Sequence, residues 1–356
     1  MCLNDEFDNK ISIIKNNIPM IDLRAPIEFS RGAFPCSTNI PILDNDERHL
    51  VGIEYRKEGN KKAVNLGFKL VEHQKEIIIK SWIKFISQNP TTHLYCMRGG
   101  KRSEIAQLWL QKEGFNIPRI EGGYKALRTA SIEILNSTSN DQKEWIILAG
   151  RTGTGKTTIL KKLNSSIDLE NHASHKGSAF GGTEKDQPTQ INFENNIASE
   201  YIRHNGNVLF LEDESRRIGK ISIPNKWHIK MAKSKIVIID LDIEERISNI
   251  EREYVYDRLD NGMSKENLNK ILQSSLFNIR KRLGLKNYKD ISEKINSSTI
   301  SPNKASHKEW IKELLLTYYD PMYDYQLNSK RHRCILKGGE LEIVNFLNQI
   351  EKDQTI

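Results

Sequence analysis

Trp145-Ile146-Ile147-Leu148-Ala149-Gly150-Arg151-Thr152-Gly153-Thr154-Gly155-Lys156-Thr157-Thr158 decides the fold of the larger part of this 356-residue chain. The apolar run before Gly150 has the length of a buried strand, and Ile159-Leu160-Lys161-Lys162-Leu163 continues with helical spacing. Between them the sequence fits GxxxxGK[ST] in the strand, loop, helix context that gives the motif its meaning. Gly150, Gly153 and Gly155 let backbone N–H groups wrap a diphosphate. Lys156 reaches the terminal phosphate, Thr157 offers a hydroxyl to magnesium, and Thr158 completes the phosphate-binding set.

Two further apolar runs extend this sheet. Asn207-Val208-Leu209-Phe210-Leu211 ends in Glu212-Asp213-Glu214-Ser215-Arg216-Arg217, setting carboxylates at the C-terminal end of a strand, where a second metal partner belongs. Asp213 is the first choice for that role, with Glu212 in reserve, and Asp213 and Thr157 together are the candidate magnesium ligands. Lys235-Ile236-Val237-Ile238-Ile239-Asp240 repeats the pattern, so a parallel sheet covered by helices is expected. From Glu244 onward the chain reads as helical, basic and heavily charged, with most charges on solvated faces. Tyr318 to Gln326, followed by Lys330-Arg331-His332-Arg333, sets aromatic rings next to cations, the combination that stacks bases and holds phosphates. Tyr319, Tyr323, Tyr325, Lys330, Arg331 and Arg333, with Arg216 and Arg217, are therefore candidate nucleic-acid contacts. Tyrosines packed beneath a turn fit the same residues.

The N-terminal part alternates short strands and helices. Ile18 to Arg24 and Phe34 to Pro41 are extended pieces. Leu70 to Gln88 is helical and stops at Asn89-Pro90. Thr92 to Tyr95 then delivers Cys96-Met97-Arg98-Gly99-Gly100-Lys101-Arg102-Ser103, ahead of a helix. A cysteine there sees unpaired N–H groups and the positive end of the helix dipole, and Arg98, Lys101 and Arg102 add full charges. Such surroundings populate the nucleophilic thiolate. The two glycines let the amides turn inward on one point and hold a tetrahedral oxyanion or a terminal sulfur or selenium, and Cys96, Arg98 and Arg102 are the candidate catalytic residues, with Arg102 placed to fork onto the anion and Arg98 also able to point outward toward tRNA. Asn136 to Asn140 is a polar stretch suited to a boundary, which divides the chain into domains at 1–135 and 141–356.

Composition bounds what these sites serve. The net charge of +8 and pI near 9.1 favour a polyanionic partner such as nucleic acid. The cysteines, Cys2, Cys36, Cys96 and Cys334, lack the spacing of a zinc site or a disulfide framework, which suits a reducing compartment. With no basic leader and no apolar run of spanning length, the chain reads as a cytoplasmic protein that does not enter a membrane.

In their order, these parts resemble the tRNA 2-selenouridine synthases. The resemblance is carried by Asp22-Leu23-Arg24-Ala25-Pro26-Ile27-Glu28-Phe29, Gly32-Ala33-Phe34-Pro35, Tyr95 to Gly100, Gly122-Gly123-Tyr124-Lys125-Ala126, the 150–158 loop, Glu212 to Gly219 and Tyr319 to Tyr325. It implies an α/β chain in which an N-terminal rhodanese-like domain with the cysteine loop precedes a P-loop NTPase-like parallel-sheet domain with a helical C-terminal region. It also implies a transferase that converts the wobble 2-thiouridine of tRNA to 2-selenouridine, meeting the tRNA at its anticodon loop. Selenophosphate is then the selenium donor, with a selenophosphate supply enzyme as a possible partner. Geranyl diphosphate is a second substrate, through an S-geranyl-2-thiouridine intermediate, and no tightly bound cofactor is expected. By the same analogy Cys96 serves selenation, as a perselenide carrier or as a nucleophile assisting thiol departure. Gly67, in Val64-Asn65-Leu66-Gly67-Phe68-Lys69, falls where the family keeps a glycine linked to the geranyl step. Cys36-Ser37 departs from the small residues usual after the proline. Of the implied substrates only geranyl diphosphate presents a diphosphate, so the geranyl step is expected to depend on Lys156 and Thr157.

Other readings fit parts of the chain. Cys96 and Arg102 followed by Ser103 also have the CxxxxxRS spacing of cysteine phosphatases, although Tyr95 stands where those enzymes often carry histidine. A sulfurtransferase module joined to an ATP-dependent kinase or NTPase fits the glycine-rich loop, as does a non-enzymatic tRNA-binding platform.

Overall fold

Two separate parallel sheets organise the chain. The structure, a computed structural model, describes residues 3–182, 186–300 and 307–353. Cys2 lies outside them. They fall into two units, 1–137 with 188–205, and 138–187 with 206–356.

The first unit begins with α1 (Leu3–Lys15) and β1 (Met20–Asp22), then α2 (Pro26–Arg31), β2 (Ser37–Asn39), α3 (Asn45–Val71), α4 (Lys75–Gln88), β3 (His93–Tyr95), α5 (Lys101–Lys112) and α6 (Gly123–Ser137). Its strands are parallel in the order β2-β1-β3, with Ile21 opposite both Thr38 and Leu94. The strands are short, and the extended piece after α5 adds only a bridge between Arg119 and Leu94. Ile21, Leu23, Leu94, Trp82 and Trp109 form the core around them, the two indoles stacked at 6.0 Å. An Asp44/Glu47 capping box starts α3: Glu47 N donates to Asp44 Oδ1 at 2.8 Å, and Asp44 N to Glu47 Oε2 at 2.9 Å. The helix runs well past Gly67 with one non-helical residue, Gly59, so Val64 to Lys69 lie inside it.

The second unit begins with β4 (Glu144–Gly150), α7 (Lys156–Leu160) and α8 (Leu169–His172). The next helix, α9 (Gln190–Arg203), belongs to the first unit. There follow β5 (Val208–Glu212), the hairpin β6 (Arg217–Ile218) and β7 (Ile221–Ser222), α10 (Asn225–Lys233), β8 (Lys235–Ile239), α11 (Ile243–Glu251), α12 (Asp257–Asp260), α13 (Lys265–Leu283), α14 (Leu285–Ile300), α15 (His307–Leu314), α16 (Asp320–Lys330), β9 (Cys334–Gly338) and α17 (Glu340–Asp353). The larger sheet is parallel throughout, in the order β5-β4-β8-β9. A second apolar core lies among α11 to α16, centred on Leu272, Leu276, Ile295, Trp310 and Tyr319.

Two sequence expectations are corrected. The region beyond Glu244 is not wholly helical: β9 pairs with β8 through Ile236↔Cys334 and Ile239↔Gly338, closing that side of the sheet. Its residues alternate in burial, so it lacks the continuous apolar run of the strands beside it. The helix Gln190–Arg203, read within the second domain, packs on α6 and α1 instead. It buries Phe193, Ile197 and Tyr201 there. Asn195 anchors it, donating to Ala33 O at 2.8 Å and accepting from Arg128 and Ser131. Periodicity reveals an apolar face but not which sheet it will cover.

Candidate functional site

Cys96 follows β3, at the C-terminal edge of the first sheet, where parallel sheets open to ligands. It is 3% exposed, and its Sγ lies 3.4 Å from Ser103 Oγ and 3.9 Å from Gly100 O. The start of α6 holds the loop in place: Tyr124 N donates to Cys96 O at 2.9 Å and Lys125 N to Met97 O at 3.1 Å. This approach requires glycine at 123. Its φ is +57°, and a Cβ there would stand 2.2 Å from Cys96 O and 2.4 Å from Gly99 N. Burial pushes the Cys96 thiol up, but the Ser103 hydroxyl and amide, the charge of Arg102 and the Arg98 amide outweigh it. The thiol is held below its ordinary value, which favours the thiolate form. Cys36, by contrast, is pushed up to about 11 by burial, which fits packing rather than thiol exchange.

The flanking arginines differ. Arg98 is exposed and lines the same cavity as Cys96. Arg102 does not project into an open oxyanion cradle: its guanidinium forks onto Glu28, Nη1 to Oε2 at 2.6 Å and Nη2 to Oε1 at 3.4 Å. Glu28 is 5% exposed in the first turn of α2, where it also accepts from Ala25 N. A buried carboxylate needs such a partner. Burial raises the Glu28 carboxyl, but Arg102 outweighs that and holds it below the usual carboxylate range. Glu28 and Ser103 stand in quoted motifs, yet spacing alone does not connect positions so far apart in sequence.

Cys96 also lines a cavity of about 800 Å³ within the first unit. Its walls are Ile42, Leu43, Val51, Val64, Phe68, Val71 and Trp109, with Gly52 and Gly67 among them. Arg48, Arg56, Arg98, Lys101, Arg102 and Lys125 supply cations, and Glu28 is its one carboxylate. Most of the wall comes from one face of α3. Residues 48, 51, 52, 55 and 56 recur at helical spacing after the capping box, a signal that could have revealed this face from sequence.

In the second unit, the 150–155 loop joins β4 to α7 as expected. Gly153 has φ +84°, and a Cβ there would lie 2.7 Å from Arg246 O. Lys156 Nζ folds back to Gly150 O at 3.3 Å, and Thr157 Oγ1 donates to Glu170 Oε2 at 3.1 Å. The tyrosine segment docks onto this loop. Arg151 Nε donates to Asp324 Oδ1 at 2.7 Å, and the buried Arg246 joins Thr152 O, at 2.9 Å, to both oxygens of Asp320. The Tyr323 ring centroid is 5.8 Å from Lys156 Nζ.

The acidic strand end departs from the reading. Asp213 accepts from Lys330 Nζ at 2.7 Å through both oxygens. Glu212 is fully buried, with Oε2 accepting from Leu169 N at 3.1 Å and Oε1 without a hydrogen-bond partner. Burial, reinforced by Asp168 and Glu170, pushes its pKa well up, and burial with Glu170 does the same to Glu214. Thr157 is turned to Glu170 and Asp213 to Lys330, so the magnesium pair read from sequence is not arranged as ligands. Among the described residues no group of three His, Cys, Asp or Glu side chains is set to hold a metal.

The C-terminal candidates also divide. Tyr319 is 4% exposed in the helical core and presents no ring to a base. Tyr323 faces the glycine-rich loop. Tyr325 is 79% exposed. Lys330 is tied to Asp213, and Arg333 Nη1 donates to Met231 O at 3.0 Å and Ser234 O at 2.5 Å, closing the end of α10. Arg216, Arg217 and Arg331 are exposed.

Residues 143–354 match the family model described as the tRNA 2-selenouridine synthase AAA domain. A tRNA 2-selenouridine synthase of Shewanella denitrificans is 41% identical over 94% of this chain and 95% of its own length. Those of Marinobacter nauticus and a Sulfurovum species are 38% and 40% identical, each over 95% of this chain and 96% of their own. The chain belongs to the tRNA 2-selenouridine synthase family. Membership spans both units, the cysteine loop as well as the glycine-rich loop. No described helix is long and apolar enough to cross a membrane.

Proposed function

We propose that this chain is a tRNA-modifying transferase that converts wobble 2-thiouridine to 2-selenouridine with selenophosphate, through S-geranyl-2-thiouridine made from geranyl diphosphate. Family membership supports the tRNA and selenium chemistry. The observation that carries the reading is Cys96, a buried thiol held low by Ser103 and Arg102 and opening onto the basic, apolar-walled cavity.

In the first step the 2-thio sulfur attacks C1 of the geranyl group. A carbon–sulfur bond forms, the carbon–oxygen bond to diphosphate breaks, and N3 loses its proton. Alkylation turns a poor leaving group into a good one. In the second step the Cys96 thiolate adds at the ring carbon and geranylthiol leaves with a proton. Selenium of selenophosphate then displaces the thiolate, and hydrolysis of the phosphorus–selenium bond leaves selenium on the ring and releases phosphate. No oxidant or reductant enters. The exposed Arg216, Arg217, Arg331 and Tyr325 suit contacts to the tRNA.

The test is mass spectrometry of nucleosides from bulk tRNA of a strain lacking the gene, with and without this chain restored. Selenouridine and geranylated thiouridine should appear only on restoration. Thiouridine alone in both would refute the proposal.

A further inference from the structure

We infer that the cavity beside Cys96 is the seat of the geranyl chain in both steps, and that its wall sets the length of prenyl group the enzyme accepts. The inference rests on the geranyl route proposed above. The cavity's size is that of a small-molecule site. Its wall is largely apolar, with Val64, Phe68, Val71 and Trp109 in it, and apart from the charged groups the polar side chains able to hydrogen-bond a sugar or a base edge are confined to His49, Tyr55 and Asn60. Its charged groups are cations except Glu28, and Glu28 is already paired with Arg102.

Charge and wall together fit one class of occupant, a hydrocarbon chain ending in an anion. A tRNA base matches the cations but not the wall, and a neutral hydrocarbon chain matches the wall but offers nothing to the cations. Geranyl diphosphate satisfies both. After transfer, the sulfur-bound chain still has this wall beside Cys96, where geranylthiol must depart. The seat also takes over the role read for Lys156 and Thr157 in the geranyl step, leaving the glycine-rich loop for another phosphate.

Gly52 provides the means to test this. A Cβ at Gly52 meets no heavy atom within 4 Å, so the position accepts a side chain without a clash. Replacing a helix-interior glycine is also neutral or favourable to the helix. Gly52→Phe fills the cavity, whereas Phe68→Ala, at a position 43% exposed, enlarges it with little loss of core. Each variant and the wild type would be offered 2-thiouridine tRNA with equal dimethylallyl, geranyl and farnesyl diphosphate, and the products weighed as nucleosides. Gly52→Phe should shift the geranyl-to-dimethylallyl ratio toward the shorter group by about tenfold or more, and Phe68→Ala should shift it toward farnesyl.

A ratio of products does not move when a variant merely folds poorly. Unchanged ratios in both variants, with the wild type geranylating, would overturn the cavity as the seat while leaving the route intact. A wild type that selenates but transfers no prenyl group would overturn the route itself.

Discussion

Arg102 and Glu28, 74 positions apart, form a forked pair at 2.6 and 3.4 Å that ties the cysteine loop to the first turn of α2. The pair sets how much positive charge the thiol feels. Arg102→Gln should raise the Cys96 pKa and Glu28→Gln should lower it, because the first removes a cation and the second frees that cation from its partner. Peptide-resolved alkylation of Cys96 against pH reads both. Shifts of the same sign would mean the pair acts only by holding the loop's shape.

Cys96→Ser should abolish selenouridine while tRNA binding stays within a few-fold, since the change removes the thiolate and almost none of the positive charge. Ser103→Ala should leave selenation possible but move its rising limb to higher pH, because Ser103 is the main influence holding the thiol down. Nucleoside mass spectrometry with a pH–rate profile checks both. Selenation at full rate in Cys96→Ser would remove this residue from the chemistry.

Lys330 and Arg333 should behave as structural cations, and Arg331 as a binding one. Neutralising Lys330 strands Asp213, and neutralising Arg333 strands carbonyls at the end of α10. Each is expected to cost about 1–3 kcal/mol, read as a lower Tm. Arg331→Gln should leave Tm unchanged and reduce the log–log salt slope of tRNA binding by about 0.7 to 0.9. The reverse pattern would move the tRNA track onto Lys330 and Arg333.

Glu212 makes stability depend on pH. Its carboxyl is raised on folding above the ordinary 4.5, chiefly by burial, so the folded state holds the proton more tightly than the unfolded chain. That stabilisation is fully present below the unfolded value and is lost as pH rises through the folded one. Glu212→Gln keeps an acceptor for Leu169 N without a charge to bury. It should melt above the wild type in alkaline buffer, with the difference closing as pH falls toward 4.5. A pH-independent difference would contradict a buried ionisation.

Much of this was readable along the chain. The strand, loop and helix around Gly150 follow from an apolar run beside spaced glycines, and the cysteine loop from its own local charge, because neighbours in sequence are neighbours there. The parallel strands ending at Leu211 and Ile239 were legible for the same reason: strands buried on both faces are continuously apolar. What escaped was long-range pairing. Spacing did not show that Arg102 would meet Glu28, that Lys330 would neutralise Asp213, or that Tyr319 would be buried and Tyr325 exposed.

The sequence alone determined most of the element types, the cysteine loop, the glycine-rich loop and the family, all written in local pattern. Only the tertiary structure decided which charges are spent on one another, which helix covers which sheet, and that one face of α3 walls a cavity against Cys96. Those outcomes depend on burial. An ion pair or an apolar wall acquires its meaning only when the chain removes both partners from water.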